Sequence, residues 1–492
     1  MKTTIPACLV DLSAQDQFII DTESYKYSFM IRYAYKRLQE GMAVGSLEKI
    51  LSAKTNTNIR VAKDAVAEAV QLIKSRKALM IEYFELWKSR FEKTSTKLEK
   101  LLCIPDINPN SKRILGLQNK LEKQILKMDH YEQHVKHDTY DEVIFGGREN
   151  FEKRTKGLIT KEQWQELRNG RFSSRGDKSK KGNPNLRVIE ENGSFFLEMT
   201  TSNPFQKGKK TLYQKVRFSL YIASKKSKKT GQYNGRNYPA LMRQALASGD
   251  AYAVEILKRN GKYRVHISIT EQPAPLVTFP VNGYRGLDTN PDGLAICHVK
   301  KDGNPKSFEW LGEGGLQDYP SDKRENLIYE LCHKLVRKCV EDGTGLIVED
   351  LKFIQDKSIS AKFRRMSHSF CYRKILSTLE RLCERYGVEF IKVKPAFTSI
   401  SGRLKYQQKY RISVHESAAL TIGRRGMGMK ERIPKKLQDI LTKQQTKSWK
   451  KQNEWARWST VRKRITNILK KRKAKFHQWF HHKQHVYQTI KK

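Results

Sequence analysis

Two motifs place carboxylates at the ends of apolar segments, where they could bind a metal ion. Asp288 follows Gly286-Leu287, and Glu349 follows Leu346-Ile347-Val348. A carboxylate beside an apolar core is costly unless a charge or a metal compensates it, and Mg²⁺ takes oxygen ligands. Asp288 and Glu349 are therefore candidate Mg²⁺ ligands. Taken singly, Asp288 could instead cap a turn and Glu349 could pair with a lysine.

The elements around these acids predict how they are positioned. The predicted order is strand Tyr284–Asp288, strand Leu294–Val299, strand Ser307–Leu311, helix 322–340, strand Leu346–Val348, helix 370–386, strand Val388–Val393 and a helix from about Val414. Three strands followed by alternating helices and strands is the order of the RNase H-like fold, an α/β sheet with helices on its faces. In that fold the strands of Asp288 and Glu349 lie side by side.

The rest of the chain predicts a multidomain α+β protein. Ile5, Leu9 and Phe18 to Ile20 predict short strands within residues 1–20, and apolar residues recur at helical spacing over 22–135, as in Val61, Ala65 and Ala69. Alternating runs over 140–275 predict a β-barrel or sheet. Two basic loops of this region, 173–182 and 225–229, are interpreted as phosphate contacts or as solvated turns. The tail from about 430 predicts basic helices that face nucleic acid, with Trp455, Trp458, Ile465, Ile468 and Leu469 as its aromatic and apolar positions.

The charge balance points to a polyanionic partner. The 492 residues include 96 Lys and Arg against 51 Asp and Glu, a net charge of +45. Basic residues that neutralise phosphates release counterions, so this excess favours nucleic acid. The sequence has no apolar run of 18 residues, so no membrane partner is expected.

The cysteines and the N-terminus indicate a cytoplasmic protein, which we expect to be bacterial and nucleoid-associated. The seven cysteines form no CxxC motif and are odd in number, which predicts reduced thiols and no disulfide. Cys332, Cys339, Cys371 and Cys383 are interpreted as buried apolar residues. The N-terminal segment MKTTIPACLVDL lacks a signal-peptide pattern.

Several motifs resemble the RuvC core of TnpB proteins, often described as OrfB transposases, which is also shared by type V CRISPR effectors. They are Gly286-Leu287-Asp288-Thr289-Asn290, Ile347-Val348-Glu349-Asp350-Leu351, and Lys392 to Ser399 with its Pro-Ala-Phe-Thr-Ser stretch. The similarity covers roughly 284–426, and the layout before it is similar too. The resemblance implies first wedge-domain strands at 1–20, a helical recognition lobe at 21–139, a wedge β-barrel at 140–280, a RuvC-like nuclease domain at 281–429 and a basic helical tail at 430–492.

The resemblance implies an RNA-guided DNA endonuclease. Its partners would be a guide RNA and target DNA, both double-stranded and as the displaced single strand. Asp288 and Glu349 would hold Mg²⁺, for which Mn²⁺ is expected to substitute. A nuclease-dead RNA-guided DNA-binding protein and a structural RNA-binding protein are the rival interpretations.

The sequence departs from the family pattern in two places. The family's four-cysteine zinc knuckle is missing, because Ile400 to Ile412 forms only a short basic linker, and no zinc is expected. The last motif reads His415-Glu416-Ser417-Ala418-Ala419, where the family commonly begins with Asp. Either His415 or Glu416 could supply the third metal ligand and catalytic group, or that ligand is lost. On a helix from Val414, His415 shares a face with Ala418, Ala419 and Ile422, whereas Glu416 points about 100° away.

Other basic and histidine-rich segments are interpreted as contacts with solvent or phosphate. Gly423, Arg424, Arg425 and Gly426 predict a basic helix end near the site. His477, His481, His482 and His485 have helical i, i+4 spacing, but in a basic tail such residues more often face solvent or phosphate than bind metal.

We expect the protein to purify with a bound structured RNA, because an excess of 45 positive charges would otherwise repel itself in the compact state. The ultraviolet spectrum and sequencing of the extracted nucleic acid measure this. Recovery of monodisperse, nucleic-acid-free protein at moderate salt would contradict the expectation.

Overall fold

A computed structural model describes residues 2–208, 210–223, 236–290, 293–312, 319–351, 372–449 and 451–471, with Lys436 described for its backbone alone. The chain divides into two compact units, Lys2–Glu271 and Gln272–Lys492. Several residues singled out in the sequence lie outside the described residues, namely 225–229, Cys371 and the tail histidines at 477, 481, 482 and 485.

The first unit combines long helices with an antiparallel sheet. Its helices are α1 (Ala14–Gln39), α2 (Val44–Thr55), α3 (Ile59–Leu102), α4 (Lys112–Lys136), α5 (Arg148–Thr155), α6 (Lys161–Asn169) and α7 (Tyr238–Ser248). Its strands are β1 (Lys2–Val10), β2 (Arg171–Ser174), β3 (Leu186–Glu191), β4 (Ser194–Lys207), β5 (Lys210–Ile222), β6 (Ala253–Arg259) and β7 (Lys262–Thr270). The predicted helical block and the predicted strands of the following region are thereby confirmed, with α5, α6 and α7 as additional helices.

The strand predicted at Phe18 to Ile20 is wrong, because these residues belong to α1. Ser13 caps this helix: its hydroxyl accepts from the Asp16 N–H at 3.1 Å while Asp16 accepts from the Ser13 N–H at 3.0 Å. This capping box starts a helix whose buried face includes Ile20, Tyr27 and Met30. Helical periodicity therefore decides the conformation of this short apolar run.

The sheet of the first unit is open rather than a closed barrel. Its strand order is β2-β6-β7-β1-β5-β4-β3, and among the described strands β2 and β3 form its edges. The basic loop at 173–182 begins at β2 and is tied to α3. The buried Asp64 accepts from Arg175 Nε at 2.7 Å and from Ser174 Oγ at 3.1 Å, and Arg60 pairs with Asp177. The first part of this loop is thus structural.

The second unit contains a five-stranded mixed sheet. Its strands are β8 (Tyr284–Asn290), β9 (Gly293–Val299), β10 (Pro305–Leu311), β11 (Gly345–Glu349) and β12 (Phe390–Val393). Its helices are α8 (Ser321–Asp342), α9 (Tyr372–Tyr386), α10 (Thr398–Gly402), a π-helical turn (Arg403–Gln407), α11 (Gln408–Tyr410), α12 (Val414–Gly426), α13 (Lys435–Gln438), α14 (Lys443–Trp449) and α15 (Glu454–Lys471). The sheet order β10-β9-β8-β11-β12, with β11 parallel to both neighbours, is the arrangement expected for the RNase H-like fold.

Helices cover both faces of this sheet. Leu287 and Val348 pack on α8 and α9, together with buried residues such as Leu335 and Leu379. Ile347 belongs to the opposite face and packs on Ile422 of α12. Because side chains alternate between the faces of a strand, the residues after Leu287 and Val348 project toward the α12 side.

Two glycines allow α12 to lie directly on the strand backbone. A Cβ at Gly286 of β8 would come within 2.1 Å of the Ala419 carbonyl oxygen, and one at Gly423 would come within 2.6 Å of a Val299 methyl group. Any side chain larger than the hydrogen of glycine would force the helix to move at either position. This close contact fixes where the N-terminal end of α12 lies along β8.

The segment after β12 differs from the sequence prediction. Ile400 to Ile412, predicted as a linker, is mostly helical, comprising α10, the π-helical turn and α11. The tail helix α15 carries Trp458, Ile465 and Leu469 on one face. They are buried with Leu437 and Ile440 in a core of their own, because apolar residues at helical spacing bury one face of α15.

The remaining composition-based expectations concern thiols and membranes. The six described cysteines are free, and Cys332, Cys339 and Cys383 are buried as predicted. Within the described ranges, every helix is too short or too polar to cross a bilayer.

We expect Gly423→Ala to destabilise the second unit by about 1–3 kcal/mol, since the new methyl group overpacks the contact between α12 and β9. Gly116→Ala is a matched control within a helix, because a Cβ there meets nothing within 4 Å; it should stabilise α4 by about 0.5–1 kcal/mol. Thermal unfolding of both full-length variants measures the difference, and equal unfolding temperatures would contradict it.

Candidate metal site at the ends of two parallel strands

The register of β8 and β11 brings the two predicted carboxylates together. The strands are parallel, and Leu287 is paired with Val348. Asp288 and Glu349 are the next residues on each strand, and both project toward α12. Strands of a sheet lie about 4.8 Å apart, so the two side chains are neighbours although 61 residues (349 − 288) separate them in sequence.

Glu349 lies in an environment that disfavours its charge. Burial raises the pKa of its carboxyl group to about 7, and the negative charge of Asp288 acts in the same direction. The Thr398 hydroxyl, which donates to Oε1, and the positive charge of Arg425 act in the opposite direction. The negative charge of this pair is thus only partly compensated by the described residues.

Asp288 has two described partners at the same oxygen. His415 Nδ1 lies 3.0 Å from Oδ2, and the Asn290 side-chain amide donates to Oδ2 at 3.1 Å. The Asp288 side chain is 13% exposed, whereas that of His415 is 51% exposed. The Trp310 ring lies beside the His415 imidazole, with centroids 6.1 Å apart. Asn290 therefore orients Asp288, and His415 faces it from the start of α12.

Glu416 is positioned by its own helix. Its Oε2 accepts from the Ser413 N–H at 2.8 Å, and its N–H donates to the Ser413 hydroxyl at 3.1 Å. This capping box satisfies the first turn of α12. Of the two residues considered for the third position, His415 is the one in contact with Asp288.

The donor set suits a hard divalent cation. Two carboxylates on adjacent strand ends supply the oxygen ligands that Mg²⁺ takes, and a cation between them would offset the cost of burying Glu349. In the described part of the chain, Asp288, Glu349 and His415 do not have ligand atoms that all lie within 4.8 Å of one another. A shared ion would therefore draw these side chains together.

Three further residues adjoin the site without having been predicted as part of it. Thr398, from the Pro-Ala-Phe-Thr-Ser stretch, donates to Glu349. Burial raises the pKa of Tyr372 to about 12, with the charges of Asp288 and Glu349 adding to the shift, so its phenol stays protonated. Arg425 donates to the Lys394 carbonyl at 2.5 Å and stacks over Trp455. Thr398 belongs to the Pro-Ala-Phe-Thr-Ser motif and Arg425 to the predicted basic helix end, whereas the sequence offered no signal for Tyr372.

A buried ion cluster holds the C-terminal end of α12. Glu431 is 1% exposed and accepts from Arg424 Nε at 2.7 Å, from the Tyr406 hydroxyl at 2.7 Å and from Lys405. Burial acts against the charge of Glu431, but these cations and the phenol outweigh it and hold its pKa below the usual value. The Glu431 carbonyl also accepts from the Trp458 indole at 2.9 Å. The cluster ties α12, the π-helical turn and α15 together.

The fold and the site define an RNase H-like protein with a carboxylate pair at adjacent strand ends. A protein-family model described as "SSO2105 N-terminal domain" matches residues 2–280. This is more than half of the chain, so the chain belongs to that family. No curated protein matches the chain.

Solved structures with a distant similarity include complexes of RuvC and of CRISPR-Cas12 proteins. RuvC of T. thermophilus with a Holliday junction substrate has 14% identity and a TM-score of 0.22, over 28% of this chain and 89% of RuvC. A CRISPR-Cas12f ternary complex has 13% identity and a TM-score of 0.22, over 86% and 98% of the two chains. A Cas12i–crRNA–dsDNA complex has 9% identity and a TM-score of 0.34, over 74% and 67%. Similarities this weak give no information about function.

We expect Glu431→Gln to lower the unfolding free energy by about 3–5 kcal/mol, because it leaves Lys405 and Arg424 without their buried counter-charge. Glu380→Gln, which removes the surface pair with Lys392, is the control and should change stability little. Thermal denaturation of the two variants checks this. If Glu431→Gln unfolds at the temperature of Glu380→Gln, the cluster does not stabilise the fold.

Proposed function

We propose that this protein is a TnpB-like RNA-guided DNA endonuclease that cuts with a RuvC-like site in its second unit. The observation that carries the proposal is the pair of carboxylates, Asp288 and Glu349, at adjacent ends of parallel strands in an RNase H-like sheet. The order of the strands, and the placement of both acids on the α12 side of adjacent strands, support the proposal.

Asp288 and Glu349 would hold Mg²⁺, and Mn²⁺ would substitute for it. His415 would face the bound ion from the start of α12. When bound, a pair of such ions supplies an activated water and stabilises the leaving oxygen of phosphodiester hydrolysis. Asn290 keeps Asp288 oriented, and Thr398 keeps Glu349 oriented. His415, at the exposed edge of the site, contacts Asp288 and would act as a metal ligand or transfer a proton.

The charge of the chain supports nucleic acids as its partners. An excess of 45 positive charges gives phosphate-backbone binding that is strong and salt-dependent. In the proposed function the guide RNA selects the target by base pairing, and the protein contacts backbones. The recognition lobe would be formed by the helices at 21–139, and the wedge domain by residues 1–20 and 140–280. Residues 281–429 would form the nuclease domain, and residues 430–492 would form a basic tail.

A nuclease-dead RNA-guided DNA-binding protein is the second candidate. The observation that favours it is the third position, where Glu416 caps α12 and a histidine contacts Asp288. Without a third carboxylate, ion binding would rest on two acids. Such a protein would act as a repressor or as a targeting subunit.

We expect Asp288→Asn and Glu349→Gln each to abolish strand cleavage while leaving guide-dependent DNA binding nearly unchanged, because binding rests on basic surfaces and base pairing. Asp302→Asn, in an exposed turn of the same unit, is the matched control and should cut normally. Cleavage and binding are measured in parallel on one labelled target. Equal cleavage by all three variants would exclude this site as the nuclease.

We expect His415→Ala to reduce cleavage far more than Glu416→Ala, since His415 contacts Asp288 whereas Glu416 serves the helix cap. Losing a cap costs about 1 kcal/mol of stability, so Glu416→Ala should mainly lower the unfolding temperature. Single-turnover rates together with melting curves separate the two effects. A larger rate loss for Glu416→Ala would assign the third ligand to Glu416 instead.

A further inference from the structure

Two histidines and an aspartate converge at the end of α4, in the first unit. His130 Nε2 lies 3.0 Å and His134 Nε2 lies 3.3 Å from the same oxygen, Asp141 Oδ1. One ligand atom from each residue falls within 4.8 Å of the other two. The two imidazole rings are 4.7 Å apart and nearly perpendicular. The three side chains therefore face a common point.

The backbone reversal after α4 brings Asp141 to the two histidines. His130 and His134 are one turn apart and share a helix face. Asp138 adopts a left-handed conformation with φ of 52°, and the Thr139 N–H donates back to the His134 carbonyl at 2.9 Å. The chain thus doubles back along the helix, and Asp138 also pairs with Lys77 of α3. Asp141 is positioned by this turn rather than by a flexible loop.

The surroundings of His134 suit a metal ligand. Its Nδ1 lies 2.8 Å from the Thr139 hydroxyl oxygen, which can accept a hydrogen bond from an Nδ1–H. That tautomer leaves the Nε2 lone pair directed toward Asp141. Histidine ligands in metal sites commonly donate their other ring N–H to an oxygen, which fixes the ring and its tautomer.

We propose that His130, His134 and Asp141 bind one divalent transition-metal ion of the Zn²⁺ type, with a water molecule completing the coordination. Imidazole nitrogens and one carboxylate are ligands that Zn²⁺ takes in tetrahedral sites. This site is separate from the carboxylate pair of the second unit and goes beyond the proposed cleavage function. It also departs from the expectation of no zinc, which considered cysteine motifs alone.

The bound ion would act as a clip at the base of the α3–α4 hairpin. The segment that carries Asp141 also carries Tyr140 and Phe145, whose rings pack on Tyr35 of α1 with centroids 6.1 Å and 5.4 Å away. A metal joining Asp141 to α4 would couple the end of this helix to the core of the unit. Its removal would loosen the hairpin without unfolding the sheet.

The test measures zinc retained by the full-length protein after incubation with Zn²⁺ and desalting. The variants are His130→Ala and His134→Ala, with His137→Ala as the matched control, because His137 is on the same face but its Nδ1 binds the Gln133 carbonyl. Zinc that is held by bound nucleic acid or by other histidines contributes equally to every variant, so the difference in zinc content between variants reports on this site alone. Circular dichroism verifies that each variant is folded. If His134→Ala does not fold, His130→Ala decides the test, because His130 is the more exposed of the two histidines.

We expect wild-type protein and His137→Ala each to retain one equivalent more zinc than His130→Ala. After loading with Co²⁺, wild-type protein and His137→Ala should show the visible absorption of a four-coordinate site, and His130→Ala should lack it. Zn²⁺ should raise the unfolding temperature of the wild type and of His137→Ala only. Equal zinc content and equal Co²⁺ spectra in the wild type and His130→Ala would overturn the proposal, whatever the cleavage activity of the protein.

Discussion

The parallel pairing of β8 with β11 is the constraint on which the site depends. Pairing Leu287 with Val348 sets Asp288 beside Glu349 and turns both toward α12. A slip of either strand by one residue would turn its acid toward the apolar side chains of α8 and α9, so the hydrophobic face of the sheet enforces the register. The same packing that stabilises the fold therefore holds two like charges together. Burial raises the pKa of Glu349, and the charge of Asp288 acts in the same direction.

The second determinant is the close approach of α12 to the sheet. Gly286 and Gly423 let the helix contact the strand backbone, and the buried Glu431 cluster secures its far end. Both ends of α12 are therefore fixed. In this position the His415 side chain reaches Asp288, whereas the Glu416 side chain points away from it and caps the helix. The contact between His415 and Asp288 thus follows from helix geometry as much as from the identity of the residue.

The sequence predicted the second unit well because β9 and β11 are short apolar runs, and because the order of the strands and helices leaves few possible topologies. The approach of His415 to the sheet also followed from helical periodicity. Predictions failed where a pattern was ambiguous. Phe18 to Ile20 could be strand or helix until the cap at Ser13 decided it. A barrel could not be distinguished from an open sheet, because closure depends on pairing between distant strands. The histidine pair at 130 and 134 was visible as an i, i+4 spacing, but its aspartate lies across a turn that no local pattern specifies.

The central claim is that this chain cuts DNA, and the most direct measurement is cleavage by the wild-type protein with the RNA that purifies with it. Targets matching that RNA, next to a randomised flanking sequence, are incubated in Mg²⁺, in Mn²⁺ or with a chelator. We expect strand breaks at matched targets in either metal and none with the chelator. Binding of matched DNA without breaks in Mg²⁺ or Mn²⁺ would contradict it and leave the nuclease-dead protein as the correct description.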